Sequence, residues 1–103
     1  MTWGVIVDVP APVEVYDAMH ARLLERTGGS VEGLLVHLAR ETGSGFQIVE
    51  VWESQAAYER STTEIVGPIA RELTGDAPPP SSADTARTFE VRGLVLPRAQ
   101  IAV

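Results

Sequence analysis

The apolar run from Trp3 to Val9 (WGVIVDV), rich in β-branched residues and broken only by Gly4 and Asp8, predicts a β-strand. Trp3, Val5, Val7 and Val9 share one face, and Gly4, Ile6 and Asp8 share the other. Pro10 and Pro12 end the strand, because proline cannot donate to a ladder. The period then changes. Tyr16, Met19 and Leu23 recur at helical spacing, flanked by His20 and Leu24, and predict a helix from about Pro12 to Arg26. Pro12 suits its first turn, acidic Glu14 and Asp17 lie early, Arg22 and Arg26 lie late, and Gly28-Gly29 stops it. Met19 and Leu23 read as core residues.

The stretch Gly33 to Ser54 (GLLVHLARETGSGFQIVEVWES) returns to a period of two and predicts a hairpin turning at Thr42-Gly43-Ser44-Gly45. An even-numbered loop sets Glu41 opposite Phe46, Ala39 opposite Ile48, His37 opposite Glu50 and Leu35 opposite Trp52. One sheet face then carries a histidine–carboxylate pair beside an indole. A slip of one residue would separate the pair onto opposite faces.

Ser54 reads as the N-cap of a second helix with Ala57, Tyr58, Ser61, Thr62 and Ile65 along one side. Gly67-Pro68 is expected to bend or interrupt it, with a continuation from Ile69 to Leu73 that stops at Gly75. Asp76 to Asp84 (DAPPPSSAD) reads as an extended surface connection. Thr88 to Leu96 (TFEVRGLVL) is expected to form the last strand, its Arg92 paired with Asp8, before Pro97 and the tail from Arg98 to Val103.

The order β-α-β-β-α-β predicts a ferredoxin-like α+β fold: a four-stranded antiparallel sheet with both helices on one face. The strands nevertheless carry apolar side chains on both parities, Ile6, Leu94 and Leu96 as well as Val5, Val7, Val91 and Val95. An uncovered apolar face of that size calls for burial against a second copy, so a homodimer is expected.

Composition narrows the function. At 103 residues the chain is expected to form a single domain, residues 1–103. A net charge of −6, no lysine and scattered arginines argue against nucleic-acid or anionic-membrane partners. The absence of cysteine excludes disulfides, thiolate nucleophiles and iron–sulfur or zinc-ribbon sites. Two histidines without a ligand spacing predict no metal site. No GxGxxG, P-loop or GxSxG pattern occurs. No secretory leader and no membrane-length apolar run is apparent, so a soluble, cytoplasmic protein is expected.

Val51-Trp52-Glu53-Ser54 followed by Ala57-Tyr58, together with the element order, resembles the dimeric α+β barrel superfamily and, within it, the antibiotic-biosynthesis-monooxygenase-like domains. The resemblance implies two sheets facing each other across a dimer and a small apolar cavity between sheet and helices in each subunit. It places Trp52 at the family's pocket tryptophan. Members include oxygenases that act on polyphenolic polyketides without metal or flavin, haem-degrading enzymes, and lactone- or ring-isomerising enzymes. Ser61 stands where many members carry a helix histidine, which speaks against haem chemistry.

Two readings of function follow. In the first, the protein is a homodimeric, cofactor-independent enzyme acting on an aromatic or polyketide-like small molecule, by oxygenation or by cyclisation/isomerisation. His37 would be its general base and Glu50 the group fixing the imidazole's tautomer. Trp52, Tyr58, Tyr16, His20 and Ser61 would bind the substrate, a few polar groups in apolar walls. In the second, the same dimer binds a small ligand or stabilises a partner without catalysis, and His37–Glu50 is a cross-strand polar pair.

Overall fold

The computed structural model describes residues 2–74 and 86–96. Strand β1 is Trp3–Val9, helix α1 is Val13–Thr27, and strands β2 (Leu34–Thr42) and β3 (Gly45–Trp52) form the hairpin. Helix α2 (Gln55–Ser61) passes through one π-helical turn (Thr62–Val66) into helix α3 (Gly67–Thr74). Strand β4 is Ala86–Glu90. The strands are ordered β2-β3-β1-β4 and every neighbouring pair is antiparallel, the ferredoxin-like arrangement expected of two interleaved β-α-β units. The PPP segment, Gly75 and the tail from Pro97 onward lie outside the described residues.

Local chemistry accounts for the ends of the elements. Gly28 caps α1 in the left-handed region at φ 67°, its N–H donating to the Leu24 carbonyl. The Ser54 hydroxyl accepts from the Ala57 N–H at 3.2 Å, the N-cap bond that the sequence predicted. Gly67-Pro68 interrupts the α-helical pattern, as expected, without ending the helix. The chain widens to a π turn just before it, and the Gly67 N–H donates five residues back to the Thr62 carbonyl. A wider turn absorbs the prolyl ring and its missing donor, after which α-helix resumes.

The hairpin turns on two residues, Gly43 and Ser44, because Thr42 pairs with Gly45. His37 therefore faces Glu50, Ala39 faces Ile48 and Glu41 faces Phe46, as the even-loop register requires. The register shifts beyond Val36: Leu34, and not Leu35, lies opposite Trp52. Leu35 is the extra residue of a bulge at the entry to β2, next to Gly33, whose carbonyl accepts the Glu53 N–H at 2.8 Å. Gly33 takes φ 84°, and a methyl group there would come within 2.5 Å of the Ala57 Cβ, so a bare backbone lets α2 close on the hairpin.

The last strand corrects the expectation from sequence. It begins at Ala86 and ends at Glu90, two residues earlier than predicted at the start and six earlier at the end. Glu90 pairs with Trp3, the first residue of β1, and beyond that pair the Val91 N–H reaches the Thr2 carbonyl. Asp8 accordingly pairs with Arg87, not Arg92, at 3.0 Å. That contact closes a row across all four strands, in which Arg40 donates to Gln47, Gln47 donates to Asp8, and Arg87 donates to Asp8.

Among the described residues the buried apolar side chains are Val5, Phe46, Val51, Trp52, Ala57 and Ile69. Val5, Phe46 and Trp52 belong to the sheet face that the helices cover. Met19 and Leu23 of α1 are only half-buried, and no residue of that helix is fully buried. Glu72 of α3 accepts from Arg22 and Arg26 of α1, tying the helices together at their exposed rim. On the opposite sheet face lie Ile6, Val36, Leu38, Val49, Val51 and Phe89, with Leu38 48% and Phe89 39% exposed.

Candidate active site

The helix-covered face brings residues from three elements into one chain of hydrogen bonds. On β2 and β3, the directly opposed His37 and Glu50 meet with Nδ1 2.7 Å from Oε2. Two residues further along β3, on the same face, the Trp52 indole N–H donates to the other carboxylate oxygen of Glu50 at 3.2 Å. From α1, the Tyr16 hydroxyl lies 2.7 Å from His37 Nε2 and 3.1 Å from His20 Nδ1, one helical turn away. His37 and Glu50 retain only 19% and 18% of their side-chain exposure.

Donor inventories set the directions of these bonds. An ionised carboxylate only accepts and an indole only donates, so Glu50 takes one hydrogen from Trp52 and a second from His37 Nδ1. In neutral His37 the lone pair then resides on Nε2, and the Tyr16 hydroxyl must donate to it. Burial, with the negative charges of Glu50 and Asp17 adding to it, holds the Tyr16 phenol above its usual value near 10. Tyr16 thus keeps its proton at neutral pH and serves as a donor. The three rings lie nearly parallel, His20 to His37 at 6° and Tyr16 to His37 at 13°, with the Tyr16–His37 centroids 6.0 Å apart.

The other expected site residues lie nearby but outside this chain. Tyr58 of α2 stands edge-on to Trp52 at 5.8 Å and tilts against Trp3 at 4.9 Å, making an aromatic cluster beyond the indole. Ser61 is buried one turn later on α2. The sequence reading omitted Trp3 and Phe46. Phe46 packs against Tyr16 with centroids 5.6 Å apart. Both share the parity of Glu50 and Trp52, and Trp3 pairs directly with Trp52, so the strand alternation carried the signal. A recess of about 390 Å³ lies at the β1–β4 end and is lined by Thr2, Trp3, Thr88, Phe89 and Glu90. Among the described residues no group of three or more histidines and carboxylates is placed to hold a metal ion.

No protein-family profile matches the chain, and no curated protein matches it. Solved structures do. Rv0793 from Mycobacterium tuberculosis superposes with a TM-score of 0.60 at 14% identity, over 91% of this chain and 98% of that one. A point mutant of SnoaB, a cofactor-independent oxygenase from Streptomyces nogalater, gives 0.52 at 18% identity over 94% and 96%. A candidate antibiotic biosynthesis monooxygenase from Bacteroides thetaiotaomicron gives 0.54 at 16% identity over 98% and 95%. The chain shares the ferredoxin-like α+β fold of these proteins. Agreement runs almost end to end in each case, so the likeness concerns the whole β-α-β-β-α-β unit and not one shared hairpin. At these identities it is a likeness of fold, and any chemistry has to be argued from the residues of the site. Among the described residues no helix is long and apolar enough to cross a membrane.

Proposed function

We propose that the protein is a homodimeric, cofactor-independent enzyme that removes a proton from an aromatic or polyketide-like small molecule. The resulting phenolate or carbanion then reacts with molecular oxygen or closes a ring by cyclisation/isomerisation. The observation that carries this reading is a base with a fixed tautomer: Glu50 holds His37 Nδ1–H, and the Nε2 lone pair meets a phenolic hydroxyl at 2.7 Å. That hydroxyl belongs to Tyr16, so the substrate's proton reaches His37 through its oxygen. Tyr16 takes it while giving its own hydrogen to Nε2. The raised affinity of the phenol for its proton favours a transfer in which no free tyrosinate accumulates. Trp52, Tyr58 and Phe46 supply aromatic walls, and His20 and Ser61 supply polar contacts. SnoaB, which shares the fold, is itself a cofactor-independent oxygenase, and this supports the reaction class.

The second sheet face supports the homodimer. Ile6, Val36, Leu38, Val49 and Phe89 form an apolar surface that a two-fold copy would cover. A non-catalytic, ligand-binding or partner-stabilising dimer is the second reading, favoured by a recess that lies at the β1–β4 end, away from His37. Oxygen uptake and product mass with a polyphenolic substrate, for wild type and His37→Ala, separate the two. Loss of turnover in the variant supports the enzyme, and equal rates remove His37 from the mechanism.

A further inference from the structure

The Tyr16 oxygen touches two imidazoles, His37 Nε2 at 2.7 Å and His20 Nδ1 at 3.1 Å, yet a phenol carries one hydrogen. Glu50 fixes where that hydrogen goes, because it holds the His37 hydrogen on Nδ1 and leaves Nε2 as the acceptor. The contact with His20 is then a bond only if His20 carries hydrogen on Nδ1 and donates it to Tyr16. We propose that His20 is a positioning residue for the base: its Nδ1–H commits the Tyr16 hydrogen to His37 and readies the Tyr16 hydroxyl to hold an ionised substrate oxygen. The inference rests on the reading of His37 as the base and gives His20 a task other than contacting substrate.

Before transfer, Tyr16 donates to His37 and accepts from His20, so it offers the substrate only a lone pair. It therefore recognises a group that donates, a phenolic or enolic O–H, and not a carbonyl oxygen. During transfer the substrate O–H bond breaks as its hydrogen passes to the Tyr16 oxygen. The Tyr16 O–H bond breaks as its own hydrogen passes to His37 Nε2. The substrate keeps the electron pair as an oxyanion, and His37 becomes an imidazolium with Glu50 on Nδ1.

After transfer, the Tyr16 oxygen receives an N–H from each imidazole, and its hydroxyl hydrogen points at the oxyanion. Donors that feed into an oxygen strengthen the bond which that oxygen gives. A bond to an ionised acceptor is in turn roughly twice as strong as a neutral one. The set matches the ionised substrate better than the neutral one, which is the condition for lowering a barrier and not merely for binding. The charged and titratable groups facing Tyr16, besides the two histidines, are Glu50 and Asp17. Burial first, then these two charges, favours the neutral phenol, so Tyr16 meets the oxyanion as a donor.

The alternative is that His20 only packs, its ring nearly parallel to Tyr16 at 18° with centroids 5.2 Å apart. The probe that separates the two accounts is 4-nitrophenol, whose ionised form absorbs visible light, titrated against pH with and without protein. Wild type is expected to lower the pH at which the bound phenol ionises by about 1–2 units, the worth of a hydrogen bond to a charged group. His20→Phe keeps a ring against Tyr16 but has no N–H, and most of the shift should be lost. His20→Asn sets an amide N–H in place of Nδ1–H and should restore it. Should His20→Phe lose its native backbone spectrum, His20→Leu replaces it. An equal shift in wild type and His20→Phe would overturn the inference, as would no binding or unchanged ionisation in the wild type. His37→Ala separates this inference from the reading beneath it. A shift that needs His37 but not His20 removes His20 and leaves the base standing, whereas a shift that needs neither removes both.

Discussion

The Glu50 carboxylate joins two donors of different kinds, His37 Nδ1 at 2.7 Å on one oxygen and the Trp52 indole at 3.2 Å on the other. The indole N–H holds one carboxylate oxygen while the other meets the imidazole, so in the proposed reaction Trp52 would position the base through Glu50. Glu50→Gln keeps the shape but offers an amide N–H that cannot accept. We expect turnover to fall about 100-fold, in line with the usual worth of a positioned acid–base group. The cost in stability is expected to be only about 1 kcal/mol, since the pair keeps some solvent contact. Steady-state rates beside a thermal melt check this; a rate loss fully explained by unfolding would contradict it.

Tyr16 gives the protein an alkaline liability. Burial first, then the charges of Glu50 and Asp17, raise its phenol above the usual value near 10. As pH rises, the unfolded chain therefore loses this proton before the folded one does. Stability from this group is complete below about pH 10 and declines as pH climbs toward the folded-state value. Urea unfolding between pH 8 and 11 should show a shallower alkaline decline for Tyr16→Phe than for wild type. Parallel curves would remove Tyr16 as its source.

Gly33 is where the hairpin and α2 touch. Its φ of 84° is unfavourable for a side chain, and an added methyl group would meet the Ala57 Cβ, which is fixed to the helix backbone. Gly33→Ala is expected to cost about 1–3 kcal/mol, lowering the melting temperature by about 4–8 °C for each kcal/mol in a domain of this size. Gly28→Ala supplies a comparison at positive φ in open space and should cost less.

Leu38 sits on the sheet face that the helices leave uncovered and is 48% exposed in the single chain. If two copies join by this face, Leu38→Glu places a charge at the seam and is expected to convert a dimer to a folded monomer. Light scattering at micromolar concentration decides it. A wild-type monomer would refute the dimer, whatever the variant does.

The amino-acid sequence alone determined what depends on neighbours along the chain. Alternation in WGVIVDV and GFQIVEVW set which side chains share a face, and a two-residue turn set His37 opposite Glu50. Ser54 and Gly28 marked helix ends through bonds made within one turn. Tertiary structure decided what depends on another element's length or position. The last strand ends at Glu90, opposite the first residue of β1, a limit not written in TFEVRGLVL itself. Asp8 finds Arg87 because the β1–β4 register sets Arg87 opposite Ile6, on the face that Asp8 shares. Leu35 is displaced by a bulge where the hairpin meets α2, and the second helix passes Pro68 by widening into a π turn. Most consequential is Tyr16. Helical spacing placed it one turn from His20, but only the packing of α1 over the sheet brought its hydroxyl to His37 Nε2. Periodicity tells which way a side chain points within its own element; the distance to what it meets is set by how two elements pack.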